Sequence, residues 1–173
     1  MTKIYAAMLW IAFDLLLPRA GPVSGRLRRF AFALAALIFV MVLSGGLVAG
    51  IRAGLAYNTF PLMNGRIVPP DIFAIEPWYL NFSSNIATVQ FDHRLIAWLL
   101  AFLVPWFWLR VRRGEVPSRA KLGADLLLAA LALQISLGIA TLLLAVPVSL
   151  AAAHQAGALL VFSAALFAAH SLR

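Results

Sequence analysis

Long apolar runs alternate along this chain with short, arginine-rich polar breaks. Four runs reach the roughly 20 mostly apolar residues that a membrane-crossing helix needs: 30–50, 86–109, 122–146 and 149–170. A fifth run near the start, 4–17, is shorter and carries Asp14. It follows Lys3, as a signal peptide would follow a basic residue, but no A-x-A cleavage pattern comes after it. The alternative is the tail of a helix that begins elsewhere. The pattern predicts an all-α integral membrane protein: two helical hairpins packed as a four-transmembrane-helix bundle, plus an N-terminal partial helix. In domain terms, 1–17 is on the second alternative the tail of a preceding transmembrane helix, and 18–29 is a cytoplasmic linker. Residues 30–173 form the bundle, with 51–85 as its outer loop.

Composition agrees. The chain is 64% hydrophobic and 12% charged, with a mean hydropathy of +0.95. Soluble domains hold about 45–50% apolar and about 25% charged residues, so this chain has too little polar surface to coat a water-soluble globule. A net charge of +8 could point to nucleic acid, but the cations are not gathered in a patch with interleaved aromatics. They sit in the breaks instead. Arg19, Arg26, Arg28, Arg29, Arg110, Arg112, Arg113, Arg119, Lys121 and Arg173 fall on one side of the expected bundle, against Arg52 and Arg66 on the other. Cytoplasmic loops carry the excess of Lys and Arg, so loop 51–85 and the turn at Pro147 face outward. In a bacterium this means a multi-pass inner-membrane protein. With no cysteine, disulfides, thiolate metal sites and a covalently attached c-type haem are excluded.

Chemistry concentrates in the stretch VQFDHRLIAW, 89–98, where Asp92, His93 and Arg94 stand at the threshold of an apolar run. Ionisable groups in hydrocarbon are costly and mark functional positions by default. His93 lies seven residues into its expected helix, ~10 Å along the axis, and His154 lies five into its own, roughly 7–8 Å. Two imidazoles from separate hairpins thus reach nearly one depth under the outer surface. The bland account is a pair of histidines hydrogen-bonded across helices; the sharper one is a shared ligand. Zinc would want three or four protein ligands, and only Asp92 is at hand. Haem iron needs two axial imidazoles, a flat apolar slot and cations for its propionates.

The flanks suit such a slot. The run Ala151-Ala152-Ala153-His154-Gln155-Ala156-Gly157-Ala158 keeps one helix face thin, and Ala97 is small at i+4 from His93. On this reading His93 and His154 are axial ligands. Arg94 is counter-ion to a propionate or to Asp92, Asp92 an orienting acceptor, and Arg52 a second propionate contact or a residue snorkelling to the headgroups. His170 stands alone at the cytoplasmic end as an interfacial residue. A faint repeat pairs Ser44-Gly45-Gly46 with Ser136-Leu137-Gly138, each followed by a helix with a histidine near its start. The connection 57–85, with Pro61, Pro69, Pro70 and Pro77 and the interfacial runs Ile72–Ile75 and Trp78–Leu80, is expected to cap the site with a short surface helix, or else to rest on the headgroups as a plain connector.

Three motifs, GGLVAGIRAGLAYNTFPLMNGRIVP (45–69), VQFDHRLIAW and LGIATLLLAVPVSLAAAHQAGALL (137–160), occur in the order found in haem A synthases of the proteobacterial and mitochondrial type, and the chain resembles that family along most of its length. Members have eight spanning helices in two similar halves, each with a histidine pair at the outer side. This chain is similar to the second, C-terminal half, and AAMLWIAFDLLLPR resembles the end of the family's fourth helix. The resemblance implies a haem b cofactor on His93 and His154. It also implies haem A biosynthesis for cytochrome oxidase, with the C8 methyl of haem O oxidised to the formyl of haem A in the other half, whose motif carries a glutamate three residues before a histidine. Here Gln90 holds that position and no E-x-x-H occurs, so this half would relay electrons, hold no catalytic residue and convert no haem O alone. Implied partners are membrane lipid, haem O through the other half, a haem O synthase, an electron acceptor and further copies of the chain. A stand-alone b-type electron-transfer cytochrome and a non-haem membrane scaffold or transporter fragment are the competing readings.

Overall fold

A computed structural model describes residues 2–17 and 24–173, so Arg19 and the first part of the expected linker lie outside the described residues. It contains six α-helices: α1 Thr2–Leu16, α2 Gly25–Gly50, α3 Asn81–Ser84, α4 Ile86–Arg113, α5 Ser118–Leu143 and α6 Val148–His170. Helices α2, α4, α5 and α6 are long and apolar enough to cross a membrane. Below, "inner" is the arginine-rich end and "outer" the end bearing residues 51–85.

The helices run past the charges that bound the apolar runs. Helix α2 starts at Gly25, taking Arg26, Arg28 and Arg29 into its first turns. Helix α4 continues through Arg110, Arg112 and Arg113 and stops at Gly114. Cations at that end face the negative pole of the helix and extend it at little cost. Helix α5 begins four residues before the expected 122 and stops three before 146. Ala145 and Val146 take left-handed backbone (φ 57° and 60°), and the Val146 N–H donates to the Thr141 carbonyl at 2.8 Å. Pro147 then opens α6, which turns the chain back within a few residues.

Helix α2 packs against α4 and α6, and so does α5. The four therefore stand as a square, up-down-up-down, with α4 and α6 at opposite corners. The buried apolar core draws on 31–38 of α2, 100–111 of α4, 120–131 of α5 and 161–172 at the end of α6 and just beyond. All four stretches belong to the inner half. Lipid tails are as apolar as leucine, so packing rather than water exclusion holds such helices together, and small residues bring backbones close. Ala120 and Ala124 of α5 share this layer with Ala165, Ala168 and Ala169 of α6, and a Cβ on Gly123 would stand 2.9 Å from Ala168 Cα. Asp125 ties α5 to α4, accepting from Trp108 Nε1 at 2.6 Å and from Arg112 at 3.4 Å.

Helix α1 lies outside the square, against α6, with Trp10 beside Phe32 of α2. Here His170 departs from the sequence expectation. It is buried, not alone at an interface, and its Nε2 meets Asp14 Oδ1 at 3.0 Å. Arg173 reaches the same oxygen at 2.8 Å. The pairing spans 156 residues of sequence, too remote for any local pattern to reveal.

Candidate functional site

In the observed helices His93 lies seven residues below the start of α4 and His154 six below the start of α6, ~10 Å and ~9 Å along the axes at about 1.5 Å per residue. The equal depth expected from sequence is therefore present. The two helices are the diagonal pair, so their imidazoles enter from opposite corners, above the packed inner layer.

Each ring rests on a glycine of the neighbouring helix. An ideal Cβ on Gly45 of α2 would meet His93 Cε1 at 3.4 Å, and one on Gly138 of α5 would meet His154 Cε1 at 2.8 Å. Each segment of the repeat thus supplies one seat, though at different positions: Gly45 pairs with Leu137 in the repeat, and Gly46, the counterpart of Gly138, meets nothing within 4 Å. His93 Nδ1 shares a 3.0 Å hydrogen bond with Ser44 Oγ, and its Nε2 makes no hydrogen bond among the described residues. Beside His154, Gln134 Nε2 donates to the His154 carbonyl at 2.8 Å and lies 3.5 Å from its ring Nε2. His154 Nδ1 and Gln134 Oε1 are left buried without partners. Gly157 makes room for that amide, because a Cβ there would collide with Gln134 Oε1. Ser44 and Gln134 were missed from sequence; the repeat pointed at Ser44 but could not say which way its helix was turned.

The flanking charges do not assemble as expected. Asp92 contacts neither His93 nor Arg94 and makes no hydrogen bond or ion pair among the described residues. Arg94 instead clamps the outer loop: its Nη1 donates to the carbonyl of Thr59 (2.9 Å) and weakly to that of Leu62 (3.4 Å), and its Nη2 donates to Tyr57 (2.7 Å) and to Gln90 Oε1 (3.3 Å). Only Nε is left without an acceptor. Gln90, in turn, donates to the carbonyls of Ala53 and Ala56 at 2.9 and 2.6 Å. Arg52 is exposed in a left-handed turn after α2 (φ 55°), and its side chain bonds to nothing among the described residues.

The outer loop folds over the start of α4, burying Ala87, Thr88, Val89 and Gln90. Asn81, fully buried, accepts from the Ile75 N–H and donates to the carbonyls of Ile75 and Trp78. The short helix expected in the loop is present as α3, preceded by a 3-10 turn at Trp78–Leu80. Phe73, Trp78, Tyr79 and Phe82 remain exposed. An open cleft of about 770 Å³ lies outside α4, lined in part by Tyr57, Met63, Arg66, Asp71 and Asn85. Tyr57 donates its hydroxyl to Asp71 at 2.8 Å, and that bond holds the phenol above its usual range.

Among the described residues no three His, Asp or Glu side chains converge as a metal-ion site would require. The site offers two imidazoles, one from each of the diagonal helices α4 and α6.

Sequence comparison decides the lineage. A family model described as cytochrome oxidase assembly protein matches residues 2–166. The chain belongs to the cytochrome oxidase assembly protein family. Relatives in it are haem A synthases: one from Nitrosospira multiformis is 62% identical over 98% of this chain and 49% of its own length. Another from Nitrosomonas eutropha is 57% identical over the same shares. The haem A synthase COX15 of Bos taurus is 42% identical over 98% of the chain and 42% of itself. The chain thus spans about half the length of these family members or less, and no solved structure matches it.

Proposed function

We propose that this chain is the haem b-holding, C-terminal half of a haem A synthase, seated in a bacterial inner membrane with its histidine site near the periplasmic side. The observation that carries the reading is the pair of imidazoles at one depth on diagonal helices, each on a glycine seat, above the layer where the core ends.

The residues fit the group. His93 keeps Nε2 unengaged while Ser44 holds Nδ1, and His154 Nδ1 is buried with nothing to satisfy it, so each ring has one nitrogen left for a ligand. Two imidazoles in an apolar wall suit a porphyrin iron as a donor set. His93 and His154 would hold such a haem, which would supply single-electron transfer. His93 and His154 would ligate, and the side walls from Gly45, Gly138 and the alanines of α6 would exclude water. Arg94 and the exposed Arg52 are cations at the outer end, with Arg94 offering its free Nε–H to a propionate while its other donors hold the loop.

Oxidation of haem O at its C8 methyl belongs, on this reading, to the part of the relatives that this chain does not span. Gln90 supports that division: it sits three residues before His93, and both its amide hydrogens are spent on backbone carbonyls of the loop, so it holds structure and moves no proton. The reading of a stand-alone b-type cytochrome shares the site but does not account for the identity to haem A synthases over 98% of the chain.

The test is the absorption spectrum of the chain purified in detergent and supplied with haem b. A low-spin b-type signal is expected, lost in both His93→Ala and His154→Ala. A spectrum unchanged in either variant removes that histidine as a ligand, and no signal in the parent chain removes the proposal.

A further inference from the structure

Hydroxyls inside apolar helices usually bond back to the carbonyl one turn earlier. Three in this bundle do so: Ser136 to Ala132, Thr141 to Leu137 and Ser163 to Leu159, at 3.0, 2.7 and 2.6 Å. Ser44 does not. Its hydroxyl crosses from α2 to α4 and meets His93 Nδ1 at 3.0 Å. Ser136, its counterpart in the repeat, is exposed and bonded to its own helix, and the ring it would have served, His154, keeps Nδ1 without any partner. The two histidines lie similarly far into their helices and each rests on a glycine, but the engaged ring nitrogen differs: Nδ1 in His93, held by Ser44, and Nε2 in His154, 3.5 Å from Gln134 Nε2.

We infer that Ser44 is a positioning residue that fixes the tautomer of His93 and makes it the more electron-rich of the two imidazoles. The inference rests on the proposed haem reading and deepens it. An imidazole that ligates through Nε2 must carry its proton on Nδ1, and that N–H needs an acceptor; the acceptor sets ring orientation and raises the basicity of the ligating nitrogen. Ser44 Oγ is the one acceptor within reach of His93 Nδ1 among the described residues. A more basic ligand favours the ferric over the ferrous state, and second-shell hydrogen bonding is one of the means by which a protein sets a haem potential. His154 has Nε2 3.5 Å from the Gln134 amide nitrogen and no acceptor on Nδ1, so no hydrogen bond of this kind strengthens it. The consequence is a centre whose potential is held down from one side only.

The experiment compares Ser44→Thr, which keeps the hydroxyl, with Ser44→Val, which has nearly the same shape and lacks it. Both are measured as the full chain loaded with haem b, by redox titration followed in the absorption spectrum. Thr is expected to match the parent. Val is expected to raise the ferrous-to-ferric ratio at a fixed ambient potential about three- to tenfold, the effect of one hydrogen bond, with the low-spin bands retained. Loss of haem from Val alone, with Thr normal, also supports the role. Equal potentials in the two variants, or a Thr variant that fails as Val does, overturns it. A parent chain that takes up no haem shows instead that the underlying reading is wrong, so the two failures are told apart by which protein shows them.

Discussion

Gly46 and Gly138 look interchangeable in the sequence, and the structure separates them. A methyl group on Gly46 would meet nothing within 4 Å, whereas one on Gly138 would stand 2.8 Å from His154 Cε1. Gly46→Ala should therefore leave the spectrum intact and stabilise the helix by about 0.5–1 kcal/mol, the usual gain on removing a helical glycine. Gly138→Ala must tilt the imidazole and should lower haem retention without unfolding the bundle, as read from haem-to-protein ratio and helicity on one sample. Gly45→Ala, at 3.4 Å from His93, should fall between them. At this scale the two histidines were legible, because a polar residue inside an apolar run announces itself. Their partners were not. Whether Ser44 or Gln134 faces a neighbour depends on how each helix is rotated, and no local pattern encodes that. Arg94 misled for a related reason: a guanidinium beside Asp92 suggests an ion pair, while its acceptors are carbonyls of Tyr57 and Thr59, which every residue has and none advertises.

Helices α2, α4, α5 and α6 were readable as apolar runs, and the ends at Gly50, Ile86 and His170 fell where expected; the ends beside arginines did not, since hydropathy falls at the first arginine while the hydrogen-bond ladder continues through it. The loop 51–85 was readable only as proline-rich and interfacial. Its shape comes from side chains that answer backbone groups: Arg94 and Gln90 from α4, Asn81 from within. Removing the clamp should show at this level. In Arg94→Ala the segment 57–62 loses its charged anchor, and limited proteolysis from the outer side should cut there markedly faster than in the parent chain. Helicity should be nearly unchanged, because α4 makes its own backbone bonds. Equal cutting rates would mean the loop is held by Gln90 and the Asn81 network alone.

For the molecule as a whole, orientation follows from the distribution of arginines and can be tested directly because the chain has no cysteine. Single cysteines at Arg66, exposed in the outer loop, and at Glu115, exposed between α4 and α5, should react oppositely with a membrane-impermeant maleimide in intact spheroplasts. Arg66→Cys is expected to label and Glu115→Cys to stay protected until the membrane is opened; the reverse result would invert the topology. The square of helices, with α4 and α6 on its diagonal, was not legible beforehand, because hairpin pairing in sequence fixes neighbours but not corners.

The confinement of the buried core to one half of the bundle grades the molecule along its axis. The lower storey is a foundation, knitted from alanine and glycine and tolerant of little. The upper storey is a socket whose walls can be re-cut residue by residue while the footing stays put. A lineage could duplicate such a unit and assign each copy a different tenant, altering only the rim.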